Sequence, residues 1–240
     1  MLIDKPLLTG RLLRRYKRFL ADVELDDGSV HVVHCPNPGR MIGCSAPGSR
    51  CIVRDSEDPA RKLRYSLHAV EESGAWIVVD TGLANAVVAE AIANDLVPDL
   101  TGYASHRREV RYGTNSRIDL LLEDPGRCYV EVKTTTLAQD GAALFPDAVT
   151  ARGLKHIEEL ERVASEGDRA VLFMFVARDD VQVFAPADDI DPAWSDAFRR
   201  ALRSGVEAYA WSSRLGECSL ELGRPLRIDV ETRVALRTTR

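Results

Sequence analysis

The 240-residue sequence has no run of about 18 apolar residues, which argues against a membrane-spanning helix. Its first residues, Met1-Leu-Ile-Asp-Lys-Pro, carry no apolar signal core, so no secretory leader is expected. Aromatic residues are few, at 6%. Hydrophobic residues at 45% and charged residues at 29% are nevertheless ordinary for a globular chain, and argue against disorder, collagen and coiled coil. The five cysteines (Cys35, Cys44, Cys51, Cys128 and Cys218) are an odd set without a CxxC pair. A disulfide framework is therefore not expected, and a reducing cytoplasm is the default setting. Cys35, Cys44 and Cys51 with His34 fit no standard zinc spacing, so buried free thiols are the expectation. No Gly-rich phosphate loop of the P-loop or dinucleotide-binding type is present, which leaves a small-molecule sugar enzyme little support.

The net charge of −5 seemingly disfavours a polyanion partner, but it hides an asymmetry. Residues 1–85 hold 12 basic and 11 acidic side chains, whereas residues 86–240 hold 20 and 26. Residues 1–20 alone hold six basic side chains and one acid. Whole-chain charge therefore does not exclude nucleic acid.

The first third reads as short strands: 7–13, 19–25, 30–33, 50–54, 63–70 and 76–79. Asp26-Asp27-Gly28 is a hairpin signal, and Pro36-Asn37-Pro38-Gly39 is a loop that no regular element crosses. Five or six strands in about 80 residues suggest a small closed barrel of the OB type. The texture changes after Asp80-Thr81-Gly82. An Ala-rich helix over 83–92 ends before Pro98. Strands follow at 109–112, 116–122 and 127–133. A helix is expected from Pro146-Asp147 to about Ser165, with Val149, Gly153, Ile157, Leu160 and Ala164 as its apolar stripe. The apolar run 170–176 reads as a buried central strand, followed by a strand at 181–185, a helix at 194–203 and a strand pair near 207–222. The expected architecture is mixed α/β: an OB-like barrel over 1–82, then a mixed sheet with helices over 83–240.

The chemistry concentrates between Asn115 and Lys133. Glu131 and Lys133 share one face of a strand, with Val130 and Val132 on the other. If Asp124-Pro125-Gly126 is a three-residue hairpin loop, Glu123 pairs with Arg127 and Asp119 lies across from Glu131. Two carboxylates so opposed repel unless one is protonated or a cation sits between them. Mg2+ or Mn2+ suits such oxygen ligands, with Asp119 and Glu131 as metal ligands. Lys133 can orient an attacking water or balance charge on phosphorus, and Glu90 on the Ala-rich helix is a candidate further carboxylate. A loop of two or four residues would put the two acids on opposite faces. Glu131-x-Lys133 alone is equally the pattern of a solvated strand face with an ion pair, and Glu90 that of a surface or capping residue.

This arrangement resembles the PD-(D/E)xK nuclease superfamily, with Ile118-Asp119 in place of Pro-Asp and Glu131-Val132-Lys133 as ExK. The strings Asn115-Ser-Arg-Ile-Asp119, Tyr129-Val-Glu-Val-Lys133 and Phe145-Pro-Asp-Ala-Val-Thr-Ala-Arg-Gly-Leu-Lys-His156 resemble the sugar fermentation stimulation protein A (SfsA) family. Asn37-Pro-Gly-Arg40 and Val79-Asp-Thr-Gly82 do so too. The resemblance implies an N-terminal OB fold, a C-terminal nuclease-like domain and DNA binding.

Arg14-Arg15-Tyr16-Lys17-Arg18 interleaves basic and aromatic side chains as single-strand binders do, although a solvated basic edge strand has the same composition. Arg40, after a Pro-Gly turn, is a second phosphate contact or a plain loop arginine. Arg152, Lys155 and His156 share a helix face; beside the Asp119 sheet they would hold a phosphate strand, unless Lys155 pairs with Glu159. Asp147 is expected to cap that helix. The expected function is thus a DNA-binding protein with a divalent-metal-dependent nuclease site, in the cytoplasm and without a membrane partner. The alternative is a non-catalytic DNA-binding regulator of sugar metabolism with a vestigial nuclease fold. A homodimer is compatible with the fold, but no sequence feature marks its interface.

Overall fold

Alternation of inward and outward side chains organises the first part of the chain. The structure, a computed structural model, describes residues 1–112, 116–234 and 236. Strands β1 (Leu7–Tyr16), β2 (Leu20–Leu25), β3 (Val30–His34), β4 (Arg50–Asp55), β5 (Tyr65–Glu72) and β6 (Ala75–Val78) lie in the order β3-β2-β1-β4-β5-β6. Pairing of His34 with Ser66 joins β3 to β5 and closes five of the strands into an OB-like barrel. In β2, Ala21, Val23 and Leu25 face inward while Asp22 and Glu24 do not. The barrel core holds Leu12, Val33, Val53, Leu67 and Ile77, together with the free thiols Cys35, Cys44 and Cys51. Closure leaves few unpaired strand edges to aggregate.

The second part contains α1 (Ala84–Ala93), β7 (Ser105–Tyr112), β8 (Ser116–Glu123), β9 (Arg127–Thr135), β10 (Ala138–Gln139), β11 (Ala142–Phe145) and α2 (Ala151–Ser165). It continues with β12 (Arg169–Val176), β13 (Val183–Pro186), α3 (Pro192–Arg203), β14 (Glu207–Leu215) and β15 (Leu220–Ile228). One nine-stranded mixed sheet runs β10-β11-β13-β15-β14-β12-β9-β8-β7. The central β12 is buried on both faces, as its unbroken apolar run requires. Ala170, Leu172, Met174 and Val176 join the core beneath α2 and α3. Val171, Phe173 and Phe175 join the core beneath α1. The short β10–β11 pair has no sequence signal, because its Ala-rich segments are too brief to show alternation.

The helix expected from residue 146 begins at Ala151, capped by the Thr150 side chain, which accepts from the Gly153 amide at 3.0 Å. Asp147 is therefore no cap, and Val149 is 77% exposed rather than part of the apolar stripe. Gly153, Ile157 and Leu160 do form that stripe. Ile3 packs in the core beneath α1, and Leu2 bridges to Ser219, so the first residues dock on the sheet domain rather than the barrel.

The two parts meet along specific contacts. The Val78 amide donates to the Ala177 carbonyl at 2.8 Å, and the Thr81 hydroxyl to the Pro36 carbonyl at 3.1 Å. Asp147 accepts from the Met41 amide at 3.0 Å. A β-carbon at Gly39 would lie 2.6 Å from an Asp147 oxygen, so a larger residue there would press the Asp147 carboxylate aside. On the sheet side, buried Asp191 caps α3 through the Trp194 amide (3.0 Å) and also accepts from the Thr150 amide (2.8 Å) just before α2. Asp191→Ala leaves both amides unpaired and is expected to cost about 1–3 kcal/mol in urea unfolding. A loss below about 0.5 kcal/mol would show that water replaces the carboxylate.

Candidate active site

The β8–β9 hairpin has the three-residue loop on which the metal reading depended. Glu123 pairs with Arg127, and the ladder continues to Leu120 opposite Val130. It ends there. The Asp119 carboxylate accepts the Val132 amide at 2.7 Å and the Asn85 side-chain amide at 2.7 Å. A side chain thus takes the Val132 amide that a ladder carbonyl would otherwise accept. The pleat also changes phase at this point: Ile118 joins the core beneath α2, whereas Leu120 joins the one beneath α1.

Glu131 and Lys133 project from the next strand toward α2. The Lys133 ammonium donates to Glu131 Oε1 at 2.6 Å, and His156 Nδ1 meets the same oxygen. Arg152 Nε donates to His156 Nε2 at 3.4 Å, and the Lys133 ammonium lies 3.0 Å from His156 Nδ1. Glu131 Oε2 is buried without a partner. Burial alone would push the Glu131 carboxyl up; the His156 hydrogen bond and the Lys133 charge outweigh it and hold the group below its ordinary value. Asp119 goes the other way. Burial, then the Glu131 charge, raises it to about 6 against the opposing pull of the Val132 amide and Lys133.

Beside these residues, a cleft of about 710 Å3 runs between barrel and sheet. Lys133, Thr134 and Thr136 line one wall, with Arg15, Arg18 and Arg40 on the other. Arg15 is a staple: it donates to the carbonyls of Arg18 (2.8 Å), Asn37 (2.9 Å) and Gly39 (2.9 Å). Arg18 spends its Nε on the Pro38 carbonyl, and Arg40 has no ion-pair or hydrogen-bond partner among the described residues.

Several expected residues stand elsewhere. Glu90 meets the Met1 ammonium at 2.8 Å, not Asp119. It lies about 140° around α1 from Asn85, since five residues exceed one turn. Asn85 is therefore the α1 residue at the site, marked in the sequence only as a polar side chain inside an Ala-Val run. Arg14 and Tyr16 do not line the cleft; both bind Asp22, at 2.6 and 2.9 Å, and Arg14 stacks over the Tyr16 ring. Lys17 lies in the hairpin turn with φ of 47° and does not line the cleft. Lys155 pairs with Glu159 at 3.7 Å, and His156 is buried against Glu131 instead of facing solvent.

The donor set fits a hard divalent cation: a carboxylate of raised proton affinity beside one with an unpartnered buried oxygen. Among the described residues no group of three or more His, Cys, Asp or Glu side chains is arranged to hold a metal. Asp119 and Glu131 would therefore hold Mg2+ or Mn2+ with water completing the shell, as Mg2+ commonly requires.

The fold is a closed OB-like barrel followed by a large mixed sheet with helices, with Asp119 and the Glu131-x-Lys133 pair on adjacent strands. Residues 13–79 match the SfsA N-terminal OB domain, and residues 82–218 the sugar fermentation stimulation protein RE domain. The sugar fermentation stimulation protein homolog of Geobacter sulfurreducens is 54% identical over 211 residues, 88% of this chain and 91% of that one. The homolog of Pelobacter propionicus is 56% identical over 207 residues, 86% and 90% of the two chains. A solved structure of Pyrococcus furiosus SfsA, in complex with Ca2+, is similar with a TM-score of 0.86 at 29% identity. That likeness covers 95% of this chain and 99% of the other. The chain belongs to the sugar fermentation stimulation protein (SfsA) family.

Asp119 titrates near 6 when folded and near 4 when unfolded. The folded state binds more protons between these limits, so stability falls as pH rises through that window and then levels off. Urea unfolding between about pH 4 and 7 is expected to show a decline on the order of 2 kcal/mol that Asp119→Asn abolishes. Parallel pH profiles for the two proteins would contradict the raised proton affinity.

Proposed function

We propose that the protein binds DNA and hydrolyses its phosphodiesters at a Mg2+- or Mn2+-dependent site, in the reducing cytoplasm. The observation that carries this reading is the carboxylate pair: Asp119, raised to about 6, beside Glu131 with its unpartnered oxygen, next to a basic cleft. A buried carboxylate with a half-buried one beside it creates a demand for a cation. The Ca2+ complex of Pyrococcus furiosus SfsA supports a hard-cation site here.

A bound divalent cation supplies Lewis-acid polarisation of a phosphoryl oxygen and a water of lowered pKa. The chain's own groups do the rest. Lys133 orients the attacking water and offsets charge developing on the phosphoryl oxygens. His156 fixes the rotamer of Glu131 and leaves Oε2 for the cation. Asn85 and the Val132 amide do the same for Asp119. Arg18 and Arg40 in the cleft, with Arg152 on α2, neutralise flanking phosphates. The free thiols support a reducing setting, and no helix among the described residues is long and apolar enough to cross a membrane.

One observation favours a non-catalytic DNA-binding regulator instead: the Lys133–Glu131 pair at 2.6 Å already neutralises one carboxylate. Calorimetric titration with Mn2+ separates the readings. Wild type is expected to bind at millimolar or lower concentration, and Asp119→Ala to lose that binding. In Mg2+, hydrolysis of DNA is expected to fall on the order of 100-fold in Lys133→Ala. Metal binding without any hydrolysis would favour the regulator, and hydrolysis unchanged in Lys133→Ala would place the chemistry elsewhere.

A further inference from the structure

Strand β7 is the free edge of the nine-stranded sheet, and its register sets Arg111 directly opposite Arg117 on β8. Both are exposed. Neither has a hydrogen-bonding or ion-pair partner among the described residues, and nor does Arg108 on the same strand. Directly opposed like charges, with Cβ atoms about 4.5–5.5 Å apart, destabilise a strand pair. The rest of the hairpin avoids this. Arg107 meets Glu123 at 2.6 Å, and Val110, Tyr112 and Ile118 turn into the core beneath α2.

The register of the opposed pair is continuous with the rest of the ladder, but the face it occupies is set by a local irregularity. Glu109 takes φ of 54°, and no 109–119 pair appears in an otherwise regular ladder. Leu120 faces the core beneath α1, whereas Ile118 faces the core beneath α2. Beyond this switch Arg111 and Arg117 point away from α2. Arg117 lies two residues from Asp119 on β8, about 7 Å along the strand. In the sheet, Lys133 lies on one side of Asp119, on β9, and Arg111 on the other, on β7. The two arginines are therefore a basic pair of their own near the sheet edge, on the face turned away from α2, whereas Lys133 and Glu131 face α2.

On the footing of the DNA-binding reading above, we propose that Arg111 and Arg117 are a phosphate grip for DNA at the β7–β8 edge of the sheet, apart from the Asp119–Glu131 centre. An anion over the pair converts its mutual repulsion into two charge-assisted contacts, which planar guanidinium groups make to phosphate with two parallel donors each. The free protein carries the repulsion, and the complex relieves it.

The test is a salt series of binding by the full chain to a labelled oligonucleotide, single-stranded and duplex, in EDTA so that no hydrolysis competes. The double variant Arg111→Gln, Arg117→Gln is expected to make the slope of log affinity against log salt shallower by about 2. Arg117→Glu is expected to weaken binding while raising the thermal midpoint, because it replaces an opposed like pair with an opposite one. Opposite movement of the two readouts is not what a merely misfolded variant gives. Unchanged slope and affinity in the double Gln variant would overturn the grip. If Arg18→Gln with Arg40→Gln then weakens binding, DNA binding at the cleft stands and only the hairpin is excluded. If the wild type binds neither oligonucleotide at low salt, both the grip and DNA binding fail.

Discussion

The hydrogen bond from the Val132 amide to the Asp119 carboxylate ends the β8–β9 ladder and so creates the site. A continuous ladder would have filled this place with backbone pairs. Here a side chain accepts the amide, the strands part company, and Glu131 is left with one oxygen held by Lys133 and His156 and one held by nothing. Burial raises the proton affinity of both acids, and their neighbours then move them apart. Glu131 has a cation beside it and stays ionised, whereas Asp119, facing that negative charge, gains affinity for a proton. A proton and a divalent cation would satisfy the same electrostatic demand, which is what the proposed metal site rests on.

The second constraint is the joint between barrel and sheet. The loop after β3 reaches Asp147 through the Met41 amide, and a β-carbon at Gly39 would press the Asp147 carboxylate aside. Arg15 holds the same loop through three carbonyls. The basic segment near residue 15 is thus divided by role. Arg14 and Tyr16 are tied to Asp22, Arg15 shapes the wall, and Arg18 and Arg40 keep donors for a ligand. Placing this wall opposite Lys133 turns an ordinary domain boundary into a charged cleft.

Much of this was legible in the chain. Alternation in β2 and the unbroken apolar run of β12 predict a half-buried barrel strand and a central sheet strand, because burial on one face or two leaves different patterns. The hairpin count that sets Glu123 against Arg127 followed only on the condition of a three-residue loop, which the structure supplies. The helix start did not follow: Pro146-Asp147 has the composition of a helix opening, but Asp147 is recruited by the Met41 amide more than a hundred residues away. Glu90 was the obvious acid on α1, yet the helix turns Asn85 to Asp119 and Glu90 to the Met1 ammonium.

By itself the sequence determined the two-part architecture and the unpaired cysteines, and it singled out Asp119, Glu131 and Lys133 as candidates on neighbouring strands, since strand period and turn chemistry are local properties. Only the tertiary structure decided that His156 belongs with Glu131, that Arg14 and Tyr16 do not line the cleft, and that Arg111 opposes Arg117 near the sheet edge. Those assignments depend on which long side chains find partners across distant segments. A local pattern limits which face a side chain occupies, but burial and charge across the folded chain decide what it meets there.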